Sequence, residues 1–283
     1  MVIVVSAYAP DRETIPGTAI VMANSFNGSV SRGFGRKAQA IANITGIPVY
    51  AYDRRGTGIN YGTEHALRKE LKPSHAIESA KRIGAKICGE LDSSVKSVVL
   101  YGHSGAGPEM AALARGKELP TFALSLSDPV GIRRLDIVRG AIGGVLYNVN
   151  HEWAAKRAHP SEHNGSSLRF LRYKKFGRAL LEAYNYKAMW GSDFTLRSIE
   201  DIAENQPDIS IFAAFASESI DGKPAFVQTV VDRINSIRSV SSSRPIEAVV
   251  WPDTLHSSFE NPGIASEVIM RTWQMSSSQP EAA

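Results

Sequence analysis

Short runs rich in β-branched and apolar residues alternate along this chain with longer stretches of helical periodicity, and that alternation restricts the fold more than any other feature. Strands apolar on both faces need covering on both, which a parallel sheet flanked by helices supplies. Strands are expected over residues 2–7, 19–23, 48–52, 95–101, 121–126, 209–215 and 246–251, and helices over 36–45, 73–91, 108–115, 225–238 and 262–274. Gly46-Ile47-Pro48 and the run from Ser241 to Pro245 mark passages from helix to strand, as glycine, proline and serine clusters do. The expected class is α/β with a mostly parallel sheet. At 283 residues and 43% hydrophobic content, the chain is long enough to bury about three quarters of its unfolded surface in one large domain.

One stretch departs from the pattern. Between Gly131 and Gln206 no buried strand stands out, and residues 131–190 carry eleven basic against four acidic side chains, with Trp153, Phe170, Tyr173, Phe176, Tyr184, Tyr186 and Trp190 among them. Residues 1–130 and 207–283 are therefore read as the sheet-bearing core, and 131–206 as a basic, aromatic helical insertion. His151, His159 and His163 fall inside it without a zinc-ligand spacing, and no metal site is expected.

The overall formal charge of +4 is too mild to predict nucleic-acid binding. No apolar run is long enough for a transmembrane helix, and the apolar start lacks the basic flank of a signal peptide. Membrane insertion is not expected. A single cysteine, Cys88, rules out an internal disulfide and suits a reducing compartment. It is read as a small buried apolar residue, and the expected location is cytoplasmic. Nothing in the sequence specifies an oligomeric state.

The chemistry concentrates in Ser97-Val98-Val99-Leu100-Tyr101-Gly102-His103-Ser104-Gly105-Ala106-Gly107, an apolar strand running into a turn of small residues and then a helix. A serine on so sharp a corner needs small neighbours two positions to either side, because the backbones crowd there. Gly102 and Ala106 satisfy that demand. The other reading of such a string is a strand-to-helix turn whose serine caps the helix.

In this order of landmarks the chain resembles the α/β-hydrolase superfamily over nearly its whole length. The elbow is one landmark, although glycine is usual where Ala106 stands. Ile20-Val21-Met22-Ala23-Asn24-Ser25-Phe26-Asn27-Gly28 is similar to the strand and His-Gly loop that supply an oxyanion-hole amide, with Asn24-Ser25 replacing His-Gly. Tyr52-Asp53-Arg54-Arg55-Gly56-Thr57-Gly58 resembles the structural Asp-x-Arg-Gly-x-Gly element. His256 follows the last expected strand, as the catalytic histidine of that family does. The resemblance implies an α/β-hydrolase fold with the insertion as a helical cap, a small-molecule acyl substrate and no cofactor. It also implies Ser104 as nucleophile, His256 as base, and the backbone N–H groups of Phe26 and Gly105 as oxyanion donors.

The acid stays open. It belongs on the loop after the strand preceding the last one, where Glu218 and Asp221 both stand, and Glu218 fits the spacing better. Asp128 in Ser127-Asp128-Pro129 is a third candidate, since some members place the acid one strand earlier. Two other functions compete with ester, thioester or amide hydrolysis. The departures at Asn24-Ser25, at Ala106 and at Leu255, which stands where that family often has a glycine before the histidine, suit a hydrolase-fold protein that only binds a small molecule or a partner. Gly33-Phe34-Gly35-Arg36-Lys37-Ala38, with Asp53 ending a later strand, imitates a dinucleotide fingerprint, but its first glycine lies too far beyond the preceding strand to meet a pyrophosphate at a helix start.

Overall fold

Alternate side chains along a strand face opposite sides of a sheet, and the buried residues of this chain sort accordingly into two cores. The computed structural model describes residues 3–24, 34–54, 73–132, 192–218, 224–237 and 244–278. Its strands are β1 (Val5–Tyr8), β2 (Thr18–Ala23), β3 (Val49–Tyr52), β4 (Ser97–His103), β5 (Thr121–Ser127), β6 (Ser210–Glu218) and β7 (Ile246–Leu255). Its helices are α1 (Phe34–Thr45), α2 (Pro73–Cys88), α3 (Gly107–Gly116), α4 (Phe194–Asn205), α5 (Pro224–Ile237) and α6 (Pro262–Ser277). Ala19, Val21, Val98 and Leu100 point to one face, where they meet Ile83 of α2, Met110 of α3, Ile199 of α4 and Val227 of α5. Ile20, Met22, Val99 and Tyr101 point to the other, against Ile41 of α1 and Val268 and Ile269 of α6. Helices on both faces explain why each of these strands is apolar without alternation.

The sheet has seven strands in the order β1-β3-β2-β4-β5-β6-β7. β1 pairs with β3 antiparallel and every other pair is parallel. β3 lies on one side of β2 and β4 on the other, so successive connections diverge there, and open α/β sheets bind ligands outside the carboxyl ends of strands at such a point. The residues that follow β2, β4, β5 and β7 are Asn24, Ser104, Asp128 and His256. One edge of the sheet thus gathers the serine, the histidine and one of the candidate acids.

Three expectations change. The end of the stretch read as an insertion belongs to the core: α4 buries Phe194, Leu196, Ile199 and Ile202 in the same cluster as α3. Its apolar spacing is helical, and the basic segment before it hid that periodicity. Residues 133–191, with most of the expected cap, lie outside the described residues. Cys88 is exposed at the end of α2, because Ile87 takes the buried place on that helix face. Finally, β6 and β7 run to Glu218 and Leu255, several residues past the expected strand ends.

Candidate active site

β4 delivers its chain into a single 3₁₀ turn, Ser104–Ala106, from which α3 starts directly. Ser104 sits at φ 53°, a left-handed conformation that costs an L-residue about 1–2 kcal/mol. A Cβ on Gly102 would lie 2.9 Å from the Cα of Gly107 and 3.0 Å from the carbonyl of Ala106, so the glycine two residues before the serine lets the strand and the helix start touch. Gly102→Ala is accordingly expected to destabilise the fold by about 1–3 kcal/mol through overpacking, read as a lower urea midpoint at unchanged slope. Wild-type stability in that variant would show that the turn has slack.

His256 opens the 3₁₀ turn that follows β7, and its ring reaches back across the strand ends. Its Nε2 lies 2.9 Å from Ser104 Oγ, and its Nδ1 lies 2.5 Å from Asp128 Oδ2. A carboxylate only accepts, so Nδ1 carries the proton toward Asp128. That tautomer leaves the Nε2 lone pair to accept the Ser104 hydroxyl proton. Ser104 is 8% exposed, His256 6% and Asp128 1%, so the chain of bonds is held in a setting where hydrogen bonds to charged groups are strong. Asp128 is fixed in turn: its Oδ1 accepts the Ala216 N–H at 3.3 Å, and its own N–H donates to the Ala214 carbonyl. The Val130 N–H donates to the Ser104 carbonyl at 3.2 Å, tying the acid's loop to the serine's turn.

Asp128, the last-ranked of the three acids by sequence, is therefore the one that faces the histidine. The preferred acid, Glu218, is not on a loop after β6 but is the last residue of β6 itself, in register with Leu255 of β7. A bulge between Ala216 and Glu218 carries the pairing past the strand's apolar core. Ser217 Oγ locks that extension by donating to the Thr254 carbonyl and accepting the Thr254 N–H, both at 3.1 Å. Asp221 lies outside the described residues. So does Phe26, the expected oxyanion donor after β2. Gly105, the other expected donor, directly follows the serine in the 3₁₀ turn, and its carbonyl accepts from Arg54 Nη1 at 3.3 Å.

Several polar side chains around the site were not singled out by sequence. Arg54 is fully buried and spans the two loops next to the serine: its Nε donates to the Asn24 carbonyl at 2.6 Å while Nη1 reaches Gly105. Asn24 in turn accepts the Arg54 N–H through Oδ1, which gives the unusual residue after β2 a role in holding this corner. Behind His256 stand His103, Glu260 and Lys37. Burial works against the Lys37 ammonium, but Glu260 and Tyr101 outweigh it and hold its pKa above that of an ordinary lysine. Burial raises Tyr101 and lowers His103, the latter against the pull of Glu260. His103 and Glu260 adjoin landmarks legible in the sequence, but side-chain direction across the fold is not. The imitation of a dinucleotide fingerprint does not match the structure, because α1 begins at Phe34 and Gly35 lies inside it rather than at the end of β2. Among the described residues no group of histidine, cysteine and carboxylate side chains is arranged to hold a metal, and no helix is long and apolar enough to cross a membrane.

No protein-family model and no curated protein matches the chain. Solved structures do. A monoacylglycerol lipase from Paleococcus ferrophilus superposes with a TM-score of 0.54 at 17% identity, over 98% of this chain and 99% of that one. A hydrolase from Oleispira antarctica gives 0.60 at 12% identity over 95% and 94%. Proline iminopeptidase from Mycobacterium smegmatis gives 0.56 at 17% over 97% and 95%. At these identities the likeness establishes the architecture, and with the sheet order and flanking helices it assigns the chain the α/β-hydrolase fold.

Proposed function

We propose that this chain, an α/β-hydrolase by fold, is a serine hydrolase that cleaves a carboxylic ester, thioester or amide through an acyl-enzyme intermediate. The observation that carries the reading is the continuous chain Ser104 Oγ, His256 Nε2, His256 Nδ1, Asp128 Oδ2, at 2.9 and 2.5 Å. A binding protein has no use for a serine aimed at a base whose tautomer is set by a buried acid. The names of similar structures, a lipase and an iminopeptidase among them, agree with acyl transfer and span more than one leaving group.

In the proposed reaction Ser104 Oγ attacks the substrate carbonyl carbon as its proton passes to His256 Nε2. Asp128 stabilises the imidazolium without taking the proton. Negative charge on the carbonyl oxygen is met by the N–H of Gly105 and, by analogy of position, of Phe26. Each such donor contributes a factor of about 10²–10³. The imidazolium returns its proton to the leaving alcohol, thiol or amine, the acyl group stays on Ser104, and a water deprotonated by His256 releases the acid. Residues 133–191 are proposed as the cap over this edge of the sheet. Their basic, aromatic composition suits a lid with apolar lining and a charged outer face.

Labelling with a fluorophosphonate followed by peptide mapping tests the reading. A single adduct on Ser104 is expected, lost in His256→Ala because the serine then has no base. An unlabelled but folded wild-type protein would remove the catalytic assignment and leave a binding protein on the same fold.

A further inference from the structure

A second set of ionisable groups adjoins the triad: His103, Glu260 and Lys37. His103 immediately precedes Ser104 and is 4% exposed. Its Nδ1 lies 2.9 Å from Glu260 Oε1, and its Nε2 lies 3.1 Å from the backbone carbonyl of His256. Glu260 Oε2 accepts from Lys37 Nζ at 3.2 Å, and the same ammonium donates to the Phe259 carbonyl at 2.9 Å. Glu260 ends the short turn that His256 begins. The three side chains therefore connect α1, the last residue of β4 and both ends of the histidine's turn.

We propose that Lys37, Glu260 and His103 form a strut that fixes the histidine's turn against the serine's strand, with Glu260 and His103 as positioning residues for the Ser104–His256 hydrogen bond. The geometry gives the strut its direction. The His103 and His256 rings lie 4.9 Å apart at 35°, and the ring of the fully buried Phe259 lies 6.1 Å from that of His103. The His256 ring can move toward His103 only by displacing it, and His103 is held by Glu260. The proton inventory shows which contact pins it. A carboxylate and a carbonyl both only accept, so a neutral His103 can donate to one of them and the imidazolium to both. Burial disfavours the imidazolium. The neutral ring therefore keeps its proton on Nδ1, toward the charged partner, and the bond to Glu260 is the one that persists.

The isosteres of histidine separate these contacts. Asparagine places an amide nitrogen near the Nδ1 position, glutamine near Nε2, and leucine fills the volume with neither. In its kinetic arm the proposal rests on the serine-hydrolase reading. His103→Leu is expected to lower kcat for an ester by about 10- to 100-fold, as displacement of a reacting group by an ångström or less does, with KM unchanged. His103→Asn is expected to recover most of that loss and His103→Gln little. Glu260 is about half exposed, so Glu260→Ala opens no buried void and reports on the strut even if His103→Leu fails to fold; it is expected to match the leucine variant in kcat, with a lower thermal midpoint because the buried Lys37 ammonium loses its counter-ion and keeps the Phe259 carbonyl. A nitrogen-15 imidazole spectrum supplies an arm independent of turnover. The sheltered Nδ1 proton of His256 is expected in wild type and His103→Asn, and exchange-broadened in His103→Leu and Glu260→Ala. If wild type neither labels nor turns over, the hydrolase reading fails and the spectra still judge the strut. Unchanged kcat and an unchanged His256 signal in Glu260→Ala, or rescue by glutamine and not asparagine, overturn the proposal.

Discussion

Ser104→Ala is expected to lower turnover of an activated ester by about a millionfold, the loss seen when a triad nucleophile is removed, while the protein remains folded. The change deletes one atom, Oγ, whose hydrogen bond is to His256 Nε2. Alanine keeps the Cβ and meets the same left-handed backbone at φ 53°, so no new strain enters. The turn itself is held by contacts that do not involve the side chain: the Val130 N–H on the Ser104 carbonyl and the close approach of Gly102 to Gly107. Thermal unfolding of the variant should therefore lie within a few degrees of wild type. A rate about 10³–10⁴ above that in water should survive if the backbone donors and binding still act on the carbonyl. Initial rates on a p-nitrophenyl ester, with circular dichroism on the same sample, check both halves. Undiminished turnover in a folded variant would place the nucleophile on another residue.

The sequence made the sheet legible because burial on both faces leaves a mark that needs no partner to be known. Val98 to Tyr101 are apolar at every position, and the structure puts Val98 and Leu100 in one core and Val99 and Tyr101 in the other. The sharp turn at Ser104 was legible for a similar reason: only small residues tolerate the contact between Gly102 and Gly107, so crowding is written in composition. The contact of the histidine with Asp128 was not, because the preference for Glu218 assumed a loop after Phe215, where β6 continues. Ala216-Ser217-Glu218 lacks strand propensity, and nothing local announces that Ser217 will exchange two hydrogen bonds with Thr254 and hold the chain in the sheet. Likewise Pro252 and the positive φ of Asp253 argue locally for a turn, yet β7 continues to Leu255. Tertiary pairing overrode local preference at both strand ends. The polar supports behind the site share that difficulty. Lys37 meets Glu260 across more than two hundred residues, and no periodicity in either segment records the encounter.

Asp128→Asn is expected to lower turnover by about ten thousandfold, as replacing the orienting carboxylate of such a triad does, whereas Glu218→Gln should stay close to wild type. The size of the first effect follows from the second contact of Asp128. Its Oδ1 accepts the Ala216 N–H, and its Oδ2 faces His256 Nδ1. An asparagine in that place keeps one oxygen and gains one NH₂ group. The buried Ala216 N–H can only donate, so it takes the oxygen, and the NH₂ group is left facing the histidine. Two donors cannot share a hydrogen bond, so the imidazole must turn Nδ1 into an acceptor and move its proton to Nε2. There it faces Ser104 and cannot accept the hydroxyl proton. The variant would thus hold every heavy atom in place with the base in the wrong tautomer, and its fluorophosphonate labelling should slow as sharply as its turnover. Glu218 is expected to matter little because His256 Nδ1 already has Asp128 as its partner, and the Glu218 backbone is paired in register with Leu255. Rates for Asp128→Asn, Glu218→Gln and Asp221→Asn under identical conditions decide the assignment. A large loss in Glu218→Gln with near-normal Asp128→Asn would mean that the end of β6 leaves the sheet during the reaction, and the acid would move there.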